Sequence, residues 1–145
     1  MAVLETDSLR RVLFPTPTYT NGESAQLFQV CHSLIELLLK KGISLTLDAT
    51  NLVERHREHL YHIAEKVGAK LVLIQVEAPQ EVVRQRLEGR GSNPQASSDA
   101  DWGVYQKMKP SVQAIGRNHY SVDTSGDISP FLDKVARELR RWVRS

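Results

Sequence analysis

Lys70-Leu71-Val72-Leu73-Ile74-Gln75-Val76 is the stretch on which the fold turns: five of its seven residues are aliphatic, without polar alternation. A strand of that kind is buried on both faces, as happens where helices cover a parallel sheet on either side. Upstream, Gly68 closes a helical pattern over roughly 53–67 that buries Leu60, Ile63, Ala64 and Val67. Ile43–Leu47 reads as another buried strand, ending at Asp48. Before it, Leu27, Val30, Cys31, Leu34 and Leu38 recur at helical spacing and predict a helix over about 24–41, with Gly42 as its stop. Thr20-Asn21-Gly22-Glu23 fits a capping box, in which hydroxyl and carboxylate each satisfy a free N–H of the first turn. Pro15 and Pro17 keep the preceding loop out of regular helix, and Ala2–Leu4 is a short first strand.

Downstream, Pro79 suits a first helical position, and that helix continues to about Glu88. Gly89–Ser98 is rich in Gly, Ser, Asn and Pro and reads as a mobile loop. A helix near Asp99–Lys109, a short segment around Gln113 and a strand at His119–Val122 follow. Ser129-Pro130 starts a last helix with Phe131, Leu132, Val135, Leu139, Trp142 and Val143 as its apolar stripe. Strand–helix alternation predicts an α/β domain with a mainly parallel sheet and right-handed crossovers, one domain over residues 1–145.

At 145 residues, 41% hydrophobic and 25% charged, the chain has the composition of an ordinary globular domain. A net charge of +2 does not argue for nucleic acid, although arginines gather at 84–90 and near the C-terminus. The single Cys31 excludes an internal disulfide and, within an apolar run, reads as a buried thiol. Neither a signal pattern nor a membrane-length apolar run is present, so the expectation is a cytoplasmic protein without membrane contact.

Ligands of open α/β sheets gather at the carboxyl ends of the strands. Asp7, Asp48 and Asp123 each fall just past a predicted strand, where a carboxylate can orient Mg²⁺ or accept a hydroxyl proton. Helix capping would explain the same positions. Arg10, three residues after Asp7, has the planar fork that pairs with phosphate oxygens. Arg86 and Arg90 share a helical face before the 89–98 loop. That placement suits a lid over about 84–109 closing on phosphates, or a solvated basic face. His56, His59 and His62 are not spaced as H-E-x-x-H, and their i, i+3 steps swing the rings around the helix rather than onto one ion. Trp102 and Tyr105 share a face and read as packing residues.

The residues Thr6-Asp7-Ser8-Leu9-Arg10, Leu13-Phe14-Pro15-Thr16-Pro17-Thr18-Tyr19-Thr20, Leu47-Asp48-Ala49-Thr50-Asn51-Leu52, Arg55 with Arg57, Arg86-Leu87-x-x-Arg90 and Ser98-Asp99-Ala100-Asp101-Trp102 occur in that order. Together they resemble the P-loop kinase family of polynucleotide kinases, zeta-toxin-like kinases and small AAA-type ATPases. The resemblance implies a three-layer fold with sheet order 2-3-1-4-5 and an ATP- and Mg²⁺-dependent phosphotransferase. It implies Asp7 as general base, Arg10 on the acceptor's phosphate, and Arg55 and Arg57 among the substrate-binding residues. Asp48 falls at the metal-ordering position, Arg86 and Arg90 over the donor phosphates, and Asp123-Thr124-Ser125-Gly126 near the adenine. Acceptors in such a family are nucleotides, polynucleotide ends or small alcohols.

One family feature is missing from the sequence. A Walker A loop reads G-x-x-x-x-G-K-[ST], because backbone N–H groups and a lysine must close on a polyphosphate. None of the glycines, at 22, 42, 68, 89, 91, 103, 116 and 126, opens such a string. The resemblance therefore places residue 1 at the family's second strand, without the first strand, P-loop and first helix, a unit of roughly 30 residues. Expected consequences are impaired ATP use and two half-sheets with unpaired inner edges. Those edges invite a homodimer, or a non-catalytic role as a binding module.

Overall fold

The computed structural model describes residues 1–49, 54–90, 102–109 and 113–144. Strand β1 (Ala2–Glu5) leads directly into helix α1 (Thr6–Leu13). Helix α2 (Asn21–Lys40), strand β2 (Leu45–Asp48) and helix α3 (Glu54–Val67) follow. Then come strand β3 (Ile74–Glu77), helices α4 (Gln80–Arg90) and α5 (Trp102–Met108), strand β4 (Tyr120–Asp123) and helix α6 (Ser129–Arg144). Thr50, Asn51 and Leu52, the 91–98 part of the expected loop and Asp99–Asp101 lie outside the described residues.

The strands form two parallel ladders. In one, Ala2, Val3, Leu4 and Glu5 pair with Leu45, Thr46, Leu47 and Asp48; in the other, Ile74 to Glu77 pair with Tyr120 to Asp123. Among the described residues no ladder joins β2 to β3, so the expected half-sheets are what the chain forms. The interior lies on the first ladder. Cys31 and Ile35 of α2 meet Ile63 of α3, with Leu4, Leu9, Leu39, Leu45, Leu47 and Leu60 packed around them. Burial raises the Cys31 thiol to about 11, which keeps it protonated and inert.

Several local expectations change. Helix α1 was not anticipated: over two turns only Leu9 among its apolar residues packs on the core, while Val12 points outward, so no periodic stripe exists to read. Helix α2 starts at Asn21, earlier than expected, and buries Leu27, Cys31 and Ile35 while Val30 is exposed. Its hydroxyl cap holds, since Thr20 Oγ1 accepts the Glu23 N–H at 3.2 Å. The reciprocal half of the box fails, because the Glu23 carboxylate turns to Thr18, Tyr19 and Arg10 instead. Gly42 and Gly68 stop α2 and α3 with φ of +77° and +71°, the left-handed geometry that glycine reaches without a Cβ clash.

The aliphatic run at 70–76 gives a strand only from Ile74, and Ile74 and Val76 are 40% and 67% exposed instead of buried. Burial on both faces needs partners on both faces and both edges, and β3 has only β4. Pro79 stands just before α4, where its carbonyl accepts the Val83 N–H. At the last helix Asp127, not Ser129, supplies the capping carboxylate, accepting the Ser129 N–H at 2.9 Å; Val135 is buried and Leu132 half exposed.

Helix α3 ties the two ladders together. Toward α2, Lys66 pairs with Glu36 and His59 stacks on His32. On the other side Arg57, buried within α3, donates to the carbonyls of Gln113 and Ala114 at 2.7 and 3.1 Å. The Glu54 N–H reaches Gln113 Oε1, and Arg117 lies over the Tyr61 ring at 4.3 Å while pairing with Glu65.

Candidate functional site

The parallel ladders put a carboxylate at the end of every strand. Glu5 is in register with Asp48, and Glu77 with Asp123. Asp7 follows β1 by two residues and lies in the first turn of α1, where the helix N-terminus favours a negative charge. Asp48 is exposed at the end of β2. The structure thus groups Asp7 with Asp48 on one pair of strands. Glu5 and Glu77 complete the set; their signal in the sequence is their place directly after an apolar run.

The other pair of strands carries the arginine. Arg86 of α4 donates from Nη1 to Thr124 Oγ1 at 2.6 Å and from Nη2 to the Thr124 carbonyl. Thr124 is itself anchored, its N–H on the Glu77 carbonyl at 2.9 Å. Asp123 Oδ1 accepts the Ser125 N–H, and this turn, with Arg86 nearby, holds the Asp123 carboxyl below the usual carboxylate range. Arg86, Asp123, Thr124 and Ser125, which the sequence gives to two different roles, therefore form one contiguous group with Gly126 in the same turn. Arg90 ends α4, and its side chain is not among those described. Arg84 is held by Glu88 at 3.0 Å and lies over Trp102, which stacks on Tyr105; this fastens α4 to α5.

Arg10, Arg55 and Arg57 occupy three different settings. Arg55 is exposed on α3. Arg57 is the interior pin described above. Arg10 is only 9% exposed and donates to Glu23 Oε1 at 2.5 Å and to Ser24 Oγ at 3.1 Å, with the Tyr19 ring across its guanidinium at 4.9 Å. Glu23 also accepts from the Thr18 N–H, the Thr18 hydroxyl and the Tyr19 N–H. Tyr19, at φ +57°, sits in a conformation that bulky residues avoid, and this network holds it there. Sequence reasoning missed Glu23 as the partner of Arg10, since thirteen residues separate them and no periodicity links a helix to a preceding loop.

The histidines pack ring on ring. His32 stacks on His59 at 5.4 Å, Phe28 lies 4.7 Å from His56, and His62 is exposed. Among the described residues no three His, Cys, Asp or Glu side chains converge as a metal cage. Magnesium is commonly held by one or two carboxylates together with substrate phosphates, so Asp48 suits it as a single oxygen ligand. The phosphates of ATP fit less well, because this sequence contains no glycine-rich nest and lysine to receive them. An open hollow of about 480 Å³ lined by Leu71, Leu73, Gly116, Arg117 and Asn118 lies before β3 and β4, at the opposite end of the strands from the carboxylates.

A family model described as an AAA domain matches residues 1–115. The chain belongs to the AAA domain family. The comparison with curated proteins found no match. Among solved structures, this AAA domain chain resembles a protein assigned as a kinase from Chloroflexus aurantiacus J-10-fl. The two share 17% identity with a TM-score of 0.72 over 97% of this chain and 82% of the other. The APS kinase of Mycobacterium tuberculosis, solved with AMPPNP and APS, gives 17% identity and a TM-score of 0.65 over 96% and 79%. A sugar kinase from Janibacter sp. HTCC2649 gives 11% and 0.64 over 97% and 80%. At such identities the likeness establishes the fold, which is that of the P-loop kinases. No helix among the described residues is long and apolar enough to cross a membrane.

Proposed function

We propose that the chain is the acceptor and lid portion of an ATP- and Mg²⁺-dependent phosphotransferase of polynucleotide-kinase type, impaired in these 145 residues because they hold no phosphate cradle. The observation that carries this reading is the carboxylate rim. Asp7 and Asp48 stand together past one pair of parallel strands, and Arg86 stands with Asp123 and Thr124 past the other. In this reading Asp7 accepts the proton of an acceptor hydroxyl, Asp48 contributes one oxygen to Mg²⁺, and Arg86 with Arg90 offsets negative charge. The 123–126 turn borders the nucleotide. Arg55 remains free to meet an acceptor, whereas Arg10 and Arg57 contribute through the segments they hold. Bound ATP would supply the phosphoryl group; no step is assigned to it on this chain.

Titration with Mg-ATP by calorimetry tests the reading. Absent or millimolar binding is expected for the isolated chain, and saturation at micromolar ATP would overturn the impairment. A second reading, a non-catalytic binding or dimerisation module, is favoured by the unpaired edges of β2 and β3. A strictly monomeric scattering mass at high concentration would count against its homodimeric form. Cytoplasmic residence belongs to both readings.

A further inference from the structure

The ladder phase shows where each strand's backbone points. The Ala2 N–H donates to the Ser44 carbonyl, so Ser44, Thr46 and Asp48 turn toward β1. By the same alternation Leu45 and Leu47 direct their N–H and C=O groups away from β1. On the other ladder, Tyr120 N–H donates to Leu73 and Thr124 N–H to Glu77, so Ile74 and Val76 present theirs away from β4. Helix α3 reaches from α2 to the 113–117 segment and fixes the two ladders relative to each other. Both ladders also superpose on single kinase structures as one body over 96–97% of the chain.

We propose that the space between β2 and β3 is a docking slot for one extended strand of a separate polypeptide, apolar along its length and cationic where it leaves. Parallel pairing to both edges would satisfy the groups of Leu45, Leu47, Ile74 and Val76 at once, which no strand added to an outer edge achieves. The exposed Ile74 and Val76 ask for apolar neighbours. The exit is flanked by the exposed carboxylates of Asp48 and Glu77, which favours positive charge on the emerging segment. Nearly all of this chain matches only about four-fifths of each neighbour, leaving room for an element of that size. The inference rests on the fold and not on the phosphotransfer reading, and its test contains no nucleotide.

The probe is a synthetic peptide, acetyl-Ser-Asn-Val-Ile-Val-Leu-Val-Gly-Lys-Gly-Lys-amide, added to the full chain and followed by residue-resolved amide exchange. Saturable binding is expected, with the Leu45, Leu47, Ile74 and Val76 amides slowed at least tenfold and those of Thr46 and Gln75 little changed. A peptide N-methylated at alternate strand positions should bind at least tenfold more weakly, and Glu77→Gln should weaken the unmodified peptide several-fold. Protection equal or greater at the outer edges of β1 and β4 would overturn the slot. So would a free chain that is already dimeric, with the four inner amides protected and unmoved by peptide. An unchanged affinity in Glu77→Gln would remove the cationic requirement from the proposal.

Discussion

Glu23 shows how one carboxylate organises a loop. With donors from Thr18, Tyr19 and Arg10 around it, its pKa falls from 4.5 to about 2, the Thr18 N–H contributing most. A carboxyl depressed in the fold stabilises at pH above its unfolded value and loses that contribution as pH falls through the folded one. Stability should therefore decline between about pH 4.5 and 2, and Glu23→Gln should flatten that slope while lowering the melting temperature at neutral pH. Chemical denaturation across that range checks both. His32 works in the same direction from the other side of neutrality. Burial, with His59 and His56 facing it, lowers its pKa below 6.5, so the neutral ring is the one the fold accommodates. Acidification from pH 6.5 should cost stability, since the unfolded chain then binds the proton more readily. His32→Gln should reduce that loss in melts at pH 7 and pH 5.5. The groups facing His32 in this window are His56, His59 and Phe28, with Arg55 acting on His56.

At the scale of elements, periodicity revealed what packs and stayed silent where contacts are few. Helices α2 and α3 were legible because Leu27, Cys31, Ile63 and Ala64 repeat at helical spacing and are buried. Ile35 was missed, although it is buried between the two helices. Ile35→Ala should destabilise by about 2–5 kcal/mol, the usual cost of a large-to-small change in a core, measurable by urea unfolding. The carboxylates after β1, β2 and β4 could be anticipated because strand ends are marked by the loss of apolar residues. Partnerships across chain distance, Arg10 with Glu23, Arg57 with Gln113 and Ala114, Arg86 with Thr124, could not. An arginine's sequence context shows that it carries charge but not whether a distant carbonyl or carboxylate will use it.

For the whole molecule, Arg57 is the residue through which the two ladders feel each other. Its guanidinium reaches two carbonyls ahead of β4 from a helix packed on α2. Arg57→Met keeps an apolar stem but removes those donors, so the two halves should unfold less cooperatively. Scanning calorimetry should then show a calorimetric enthalpy exceeding the van't Hoff value, whereas the parent chain should keep the two equal.

The bare side of β3 has a practical consequence for anyone handling the protein. A flat, uncharged row of aliphatic residues with spare amides is the kind of surface from which fibrils grow, and a net charge of +2 gives little colloidal repulsion. Thioflavin fluorescence should rise with storage time at high concentration. Val76→Lys should delay that rise and keep the preparation clear.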